Sequence, residues 1–145
     1  MKPPAWRMNN ALYPFRFDLQ TRYRDEDGLR HINNIAIAGY YDEARGRFSR
    51  KIFNEAGLGE YVRIVTAESS VSYLGEVFHP DMVEIGTGIL RIGNASYDLG
   101  QAMFQNGKCV GVCTSTFVQA TKEGSSPLSA NFRAVLNRYL IQPPL

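Results

Sequence analysis

Hydrophobic and polar residues follow two different periods along the first third of the chain. In residues 15–23, apolar and aromatic side chains alternate with charged and polar ones, which is the period of a strand with one buried face. From Ile37 to Ile52, apolar residues recur at spacings of three and four, the period of an amphipathic helix. The pattern therefore predicts a strand followed by a helix of about five to six turns.

Both ends of this helix carry boundary residues. Asn33 or Asn34 can cap the first turn, because a short amide side chain accepts a hydrogen bond from a free backbone N–H. Gly57 can adopt the left-handed conformation that ends a helix. Gly39 and Gly46 lie inside the helix and weaken its propensity, so we expect a strand or a ligand to pass close to the helix there.

The rest of the chain is predicted to be mostly strands. Turn residues at 79–81, 93–94 and 106–107 separate these strands, and Asn106-Gly107 favours a tight hairpin because both residues tolerate a positive φ. We expect a meander whose last two strands pair antiparallel, and then a short helix capped by Ser129 and extending to Leu140. The predicted strands cover residues 61–74, 82–92, 96–104 and 109–120.

Length and charge narrow the class of protein. A chain of 145 residues with 44% hydrophobic residues can bury a core of its own, so we expect one domain covering residues 1–145. Its net charge of +2 is spread among interleaved acids and bases, which predicts no nucleic-acid partner. Without a signal peptide or an apolar run long enough to span a bilayer, we expect no membrane insertion and a cytoplasmic location.

Cysteine and histidine spacing predicts neither a disulfide nor a metal. In a strand, Cys109 and Cys113 would project from the same side and lie too far apart to bridge, so we expect reduced thiols. The two histidines and two cysteines have no metal-ligand spacing, and the chain has no phosphate-binding glycine loop. We therefore expect no metal and no cofactor.

The most informative segment is residues 25–34, DEDGLRHINN, between the first strand and the long helix. It crowds acid and base side chains, including Asp27 and His31, into one short loop. Asn33 and Asn34 stand where the helix begins and where backbone N–H groups are free to bind an anion. The combination predicts chemistry on a carbonyl group.

This segment carries a resemblance to a known family. Residues 22–34, RYRDEDGLRHINN, followed by residues 40–45, YYDEAR, resemble the Asp-x-Asp-x-x-Gly-His-Val-Asn-Asn and aromatic-x-Glu-Ala-Arg patterns of hotdog-fold acyl-CoA thioesterases of the 4-hydroxybenzoyl-CoA thioesterase type. The resemblance covers most of the chain and is specific around the loop. It implies an α+β hotdog fold, in which a bent antiparallel sheet wraps a long central helix.

The resemblance also implies a reaction and an assembly. The reaction is hydrolysis of an acyl-CoA to the free acid and coenzyme A, with Asp27 as nucleophile or as base for water. The thioester carbonyl would point at the helix N-terminus, where N–H groups near residues 32–34 and the helix dipole could stabilise an oxyanion. Protomers would pair edge to edge as a homodimer or homotetramer, with active sites at the protomer interface.

Other residues keep two interpretations. His31 either orients water or substrate, or ties the loop to a strand. Asn33 and Asn34 either contact substrate or cap the helix. By resemblance, Ser96 contacts the acyl or pantetheine part of the substrate at the protomer interface, but it is also an ordinary hydroxyl at a strand start. Glu43 on the helix is the reserve candidate for catalysis.

The segment departs from the family pattern at two positions. Arg30 replaces the usual glycine before the histidine, while Gly28 comes two residues earlier, so we expect the loop to turn at a different residue. Leu29 stands where plant-type acyl-carrier-protein thioesterases have an asparagine, which argues against that substrate class.

Alternative functions remain open. An acyl-carrier-protein thioesterase would need a basic docking patch, which Arg45, Arg47, Arg50 and Lys51 could form. A noncatalytic acyl-binding protein would keep the ligand site without turnover. In each case, acyl length depends on the side chain that closes the tunnel between helix and sheet. The candidates for that side chain are Tyr40, Tyr41, Phe48, Tyr73 and Phe104.

Overall fold

A long helix packed against a curled antiparallel sheet forms the framework of the hotdog fold. The computed structural model describes residues 2–59 and 62–144. Short 3-10 turns at Ala5–Met8, Asn10–Leu12 and Tyr23–Asp25 precede the long helix. In chain order the regular elements are β1 (Phe15–Gln20), α1 (Asn34–Ala56), β2 (Arg63–Tyr73), β3 (Met82–Ile92), β4 (Ser96–Gln105), β5 (Lys108–Thr121), β6 (Gly124–Ser125) and α2 (Ala130–Arg138).

Both predicted ends of α1 and the predicted start of α2 are confirmed, whereas α2 ends at Arg138 and not at Leu140. The Asn33 side chain accepts a hydrogen bond from the Ala36 amide, which makes Asn33 the N-cap of α1, and Gly57 ends the helix with a φ of 63°. Ser129 caps α2 in the same way, through the Phe132 amide. These contacts are local in sequence, which is why the sequence pattern identified them.

The strand order is β1-β3-β4-β5-β2, with β6 paired to the far end of β5. Strands β3, β4 and β5 form the predicted meander, and Asn106 and Gly107 turn the last hairpin with φ values of 52° and 80°. The prediction that the first of the four strands joins this meander is wrong, because β2 pairs with β5 at the opposite edge. Alternation specifies which face of a strand is buried but not which strand lies beside it. Tyr61, the first residue of that predicted strand, lies outside the described residues.

The two glycines inside α1 face open space. A Cβ built on Gly39 or Gly46 would meet no atom within 4 Å outside the helix's own neighbouring backbone. The expectation that a strand passes close to the helix at these residues is therefore wrong. Both residues lie on the exposed face of α1, where a small side chain serves no packing purpose in this protomer.

A row of polar side chains divides the core beneath α1 into two apolar clusters. One cluster packs on the N-terminal half of α1, around Tyr41, and the other on the C-terminal half, around Phe48. Between them, the Arg45 guanidinium donates to the fully buried Gln101 at 3.2 Å. Thr87, directly opposite Gln101 in the sheet, is also fully buried, and so is Ser115 on β5, opposite Leu99.

The opposite face of the sheet is covered by the N-terminal segment. Arg7 is buried there, and none of its hydrogen bonds to the described residues goes to a carboxylate. Its guanidinium donates to the Tyr13 hydroxyl at 3.2 Å, to Thr114 Oγ1 at 3.0 Å and to the Cys113 carbonyl at 3.0 Å. These neutral acceptors satisfy the buried cation and attach the segment to β5.

The two cysteines are free thiols, but they project from opposite faces of the sheet. Strand β5 has a register shift at Val110, because Phe104 pairs with Cys109 whereas Met103 pairs with Gly111. The extra residue reverses the side on which Cys109 lies. The prediction of a shared side is therefore wrong, since a β-bulge cannot be read from alternation.

We expect Arg7→Ala to lower the free energy of unfolding by about 2–4 kcal/mol, because it removes charge-assisted hydrogen bonds and leaves buried acceptors without a donor. Denaturant unfolding measures the change. Arg138→Ala, at an exposed position, is the control and should stay within about 0.5 kcal/mol of wild type. Equal effects of both substitutions would contradict the role of Arg7.

Candidate active site

The loop before α1 is held by backbone hydrogen bonds on both sides. The Ile32 amide donates to the Val77 carbonyl at 2.7 Å, and the Asn33 amide donates to the Asp25 carbonyl at 2.9 Å. The Asn33 side chain donates to the same Asp25 carbonyl at 2.8 Å and accepts from Ala36. The loop is thus fixed to the helix start and to the segment after β2.

These bonds determine which N–H groups remain available at the helix N-terminus. The amides of Ile32 and Asn33 are already engaged. An oxyanion site, which the sequence predicts near residues 32–34, therefore has to use amides that follow Asn33. Within the part of the chain that the structure describes, the amides of Asn34 and Ile35 donate to no protein acceptor. They are the donors best placed to receive a negatively charged oxygen.

Asp27 and His31 come together at this helix end. Asp27 Oδ1 accepts from the Leu29 amide at 2.8 Å, and Asp27 Oδ2 lies 3.5 Å from His31 Nδ1. The exposed fraction of the Asp27 side chain is 33%, so one carboxylate oxygen is oriented by the loop while the group stays accessible. A carboxylate in this setting can act as a base or as a nucleophile.

Arg30 adopts the left-handed conformation, with a φ of 65°. This is the position where the resembled family has glycine, whereas Gly28 shows no positive φ. The expectation that the loop turns at a different residue is therefore wrong. The backbone bonds between Asp27 and His31, at 2.9 Å, and from Arg30 to Asp27, at 3.1 Å, require this turn whichever residue occupies it.

A groove of about 330 Å³ opens beside His31, the neighbour of Asp27, between the start of α1 and the end of β2. It contains Glu76, whose Oε1 lies 3.7 Å from His31 Nε2. Glu76 was not predicted as a site residue, because it lies in a connecting segment whose sequence has no periodic pattern. The groove is lined by His31, Ile32, Asn34, Ile37, Tyr73, Leu74, Gly75, Glu76 and Val77.

Asp25 points away from this groove and toward α1. Its carboxylate accepts from the Tyr40 hydroxyl at 2.7 Å and from Arg22 Nε at 3.2 Å, and only 13% of its side chain is exposed. Desolvation raises the pKa of Asp25, but the two hydrogen bonds outweigh it and leave that pKa below its ordinary value. Desolvation and the bond to Asp25 raise the pKa of Tyr40 to about 12. This geometry agrees with a structural role for Asp25.

Ser96 is not near the groove. It begins β4, an internal strand, and its hydroxyl accepts from Arg91 at 3.0 Å. The groove lies at the other end of the sheet, roughly 30 Å away along strands of this length. A single protomer therefore does not bring Ser96 to Asp27, and the contact of Ser96 with substrate at a protomer interface stays a prediction.

The reserve candidate and the basic helix residues are also placed away from the groove. Glu43 pairs with Arg47 at 3.3 Å and lines a separate groove of about 560 Å³ on the β1 side of α1. Arg45 is turned inward, and Lys51 pairs with Glu55 at 3.2 Å. The larger groove lacks Asp27 and His31, so volume alone does not locate the chemistry.

Comparison with protein families decides the class of this fold. A model described as the thioesterase-like superfamily matches residues 21–136, which include the loop, α1 and the four long strands β2–β5. The chain belongs to the thioesterase-like superfamily. The narrower 4-hydroxybenzoyl-CoA thioesterase type stays a prediction. A comparison with curated proteins found no match.

Solved structures agree with this membership. A predicted thioesterase from Bacillus stearothermophilus is 26% identical, with a TM-score of 0.80 over 90% of this chain and 98% of the other. A thioesterase from Thermus thermophilus, complexed with coenzyme A and zinc, is 25% identical, with a TM-score of 0.78 over 92% and 98%. A putative thioesterase from Pseudomonas aeruginosa is 25% identical, with a TM-score of 0.70 over 85% and 96%.

Two features that mark other protein classes are absent from residues 2–59 and 62–144. No helix there is both long and apolar enough to cross a membrane. No group of three metal-ligating side chains is assembled there either.

We expect Arg30→Gly to raise the free energy of unfolding by about 0.5–1 kcal/mol, because relief of the left-handed backbone exceeds the added entropy of the unfolded chain. Leu29→Gly, in the same loop but without a positive φ, is the matched control and should not stabilise. Denaturant midpoints measure both. Equal stabilisation by the two variants would show that strain at Arg30 is not the cause.

The pair of Tyr40 and Asp25 predicts a pH dependence of stability. The pKa of Tyr40 in the folded protein, about 12, lies above its ordinary value of 10.0. The stability that the protonated Tyr40 hydroxyl contributes is therefore complete below pH 10 and is lost as pH rises toward 12. The low pKa of Asp25 contributes stability that is lost as pH falls through its acidic range. We expect the stability difference between wild type and Tyr40→Phe to decline in both windows.

Denaturant unfolding from pH 3 to 11 tests this dependence. Tyr23→Phe changes an exposed tyrosine and should keep the wild-type profile. A difference between wild type and Tyr40→Phe that stays constant across this range would contradict the pairing of Tyr40 with Asp25.

Proposed function

We propose that this protein is an acyl-CoA thioesterase that hydrolyses the thioester to a free acid and coenzyme A. The observation that carries the proposal is the Asp27 carboxylate 3.5 Å from His31, which lines the groove, in the loop that leads into α1. At the start of that helix, the amides of Asn34 and Ile35 donate to no protein acceptor among the described residues. A base or nucleophile and an oxyanion donor are the two elements that acyl transfer needs. Membership of the superfamily and the coenzyme A bound to the Thermus relative support the same interpretation.

The reaction divides into two steps. Water, deprotonated by Asp27, or the Asp27 carboxylate itself adds to the thioester carbonyl, and the resulting oxyanion accepts hydrogen bonds from Asn34 and Ile35. The carbon–sulfur bond then breaks and its electron pair leaves with the sulfur. The coenzyme A thiolate takes the proton that Asp27 removed from water, or a proton from solvent where Asp27 is the nucleophile. If Asp27 is the nucleophile, water hydrolyses the acyl-aspartyl intermediate in a further step.

His31 and Lys108 provide supporting groups in this scheme. His31 lies between Asp27 and Glu76 and lines the groove, so it orients the carboxylate and the incoming water. The Lys108 ammonium lies beside Gly75 at the same end of the groove, 3.7 Å from the place a Cβ would occupy there. It is a suitable cation for a coenzyme A phosphate. Arg91 is less suitable, since Asp98 binds it at 2.8 and 3.1 Å.

We further propose that the working unit is a homodimer, alone or within a homotetramer, paired through β2. This strand forms one edge of the sheet, and most of its residues are exposed on both faces. Antiparallel pairing of two β2 strands would bring the Ser96 end of one sheet level with the α1 N-terminus of its partner. Ser96 would then reach the substrate from the second protomer, which reconciles its placement with a binding role.

The decisive experiment measures free-thiol release from short, aromatic and long acyl-CoAs by wild type and Asp27→Asn. We expect the substitution to lower kcat by about a hundredfold or more, because the amide can neither accept the proton nor attack the carbonyl. Circular dichroism confirms folding of both proteins.

Glu43→Gln is the matched control, since Glu43 is an exposed acid on α1 outside the groove. It should retain wild-type activity. Undiminished turnover by folded Asp27→Asn would exclude Asp27, and loss of activity in Glu43→Gln would move the chemistry to the groove on the β1 side. Failure of wild type on every acyl-CoA would reject the proposed reaction.

A further inference from the structure

Tyr41 packs behind residues that line the groove. This residue lies one helical turn beyond Ile37, so the two side chains share a face of α1. Tyr41 is completely buried and packs in the same apolar cluster as Ile32, Ile37 and Val77, all of which line the groove. It therefore stands directly behind the inner wall.

Gly111 provides the space that the Tyr41 ring occupies. A Cβ built on Gly111 would lie 2.8 Å from the Tyr41 hydroxyl oxygen, which is too close for a real contact. In the sheet, Gly111 pairs with Tyr73, a residue that lines the groove. The Tyr41 side chain thus crosses from α1 to β5 just below the groove, through a gap that exists only because residue 111 has no side chain.

The hydroxyl group of Tyr41 gives no stabilising reason for a tyrosine at this position. It is buried, and within the described residues it has no hydrogen-bond partner. An unsatisfied buried hydroxyl costs stability instead of adding it. What this side chain contributes is its length, which fills the space between α1 and Gly111 on β5.

The remaining aromatic candidates for closing an acyl tunnel lie elsewhere. Tyr40 binds Asp25, and Phe48 belongs to the second apolar cluster. Phe104 packs on the opposite face of the sheet. Tyr73 lines the groove but is 48% exposed, so it belongs to the mouth and not to the floor.

We propose that Tyr41, seated against Gly111, sets the depth of the acyl site and restricts it to short or compact acyl groups. The inference rests on the proposed function, because it takes the groove of about 330 Å³ as the acyl site. A longer straight chain would have to displace the Tyr41 ring to continue between α1 and β5. Tyr41 is accordingly a specificity-determining residue and not a catalytic one.

The test compares Tyr41→Leu with Tyr97→Leu. Tyr97 is also fully buried, and its hydroxyl has no hydrogen-bond partner in the part of the chain that the structure describes, but it packs on Phe117 and Phe132 in the other cluster. Two quantities are measured for straight chains of four to twelve carbons: kcat/KM for acyl-CoAs, and Kd for non-hydrolysable S-alkyl-CoA thioethers.

We expect Tyr41→Leu to raise the octanoyl-to-butanoyl ratio of kcat/KM about tenfold or more, since each methylene accepted by an apolar pocket changes discrimination by about that factor. The Kd ratio should shift in the same direction. Tyr97→Leu should leave both ratios within about twofold of wild type. If Tyr41→Leu does not fold, Tyr41→Met, which keeps more of the volume, is interpreted in the same way.

Gly111→Ala should shift the chain-length preference in the opposite direction. Its Cβ would push the Tyr41 ring toward the groove, so we expect a lower octanoyl-to-butanoyl ratio than wild type. Tyr41→Phe keeps the ring and should keep the wild-type ratio. Unchanged length preference in the Tyr41→Leu and Gly111→Ala variants would overturn the proposal, and so would a shift in Tyr41→Phe that equals the shift in Tyr41→Leu.

The two readouts separate this inference from the proposed reaction. Binding of thioethers by wild type without thiol release would reject the reaction, while the Kd ratios would still report the depth of the site. Thiol release with identical length profiles in all variants would reject the role of Tyr41 alone. Absence of binding by every thioether would overturn the depth assignment together with the site.

Discussion

The cap at the start of α1 is the interaction on which the candidate site depends. Asn33 accepts from the first turn of the helix and donates to the Asp25 carbonyl, so one side chain fixes both the helix end and the loop. Asp25 is held a second time by Tyr40 from within the helix. The Asp25 carbonyl also accepts from the Asn33 amide, and the Val77 carbonyl accepts from the Ile32 amide, whereas the amides of Asn34 and Ile35 donate to no protein acceptor among the described residues.

The loop, and not the size of a cavity, determines where chemistry is possible. The groove on the β1 side of α1 is larger, but its two acidic residues are paired, Asp42 with Arg45 and Glu43 with Arg47. The smaller groove is lined by His31, whose imidazole lies 3.5 Å from the oriented Asp27 carboxylate, and by Asn34 at the helix N-terminus. Electrostatic groups fixed before the reaction starts contribute more to catalysis than volume does.

Local sequence patterns predicted much of the architecture. The caps Asn33 and Ser129, the stop at Gly57 and the hairpin at Asn106 are confirmed because each depends on contacts within a few residues. The sequence pattern also placed Asp27 and His31 in one loop, and the structure brings them within 3.5 Å. It missed Glu76, which reaches His31 from a segment more than forty residues away in the chain.

What the sequence determined by itself is the set of elements, their caps and the composition of the loop, because backbone geometry and hydrophobic period act over short distances. Tertiary structure decided the partner of β2, the bulge that separates Cys109 from Cys113, and the distance of Ser96 from the groove. It also placed the Tyr41 ring against Gly111. These features depend on which surfaces meet when the sheet curls around α1, and side-chain packing between distant segments leaves no periodic trace in the sequence.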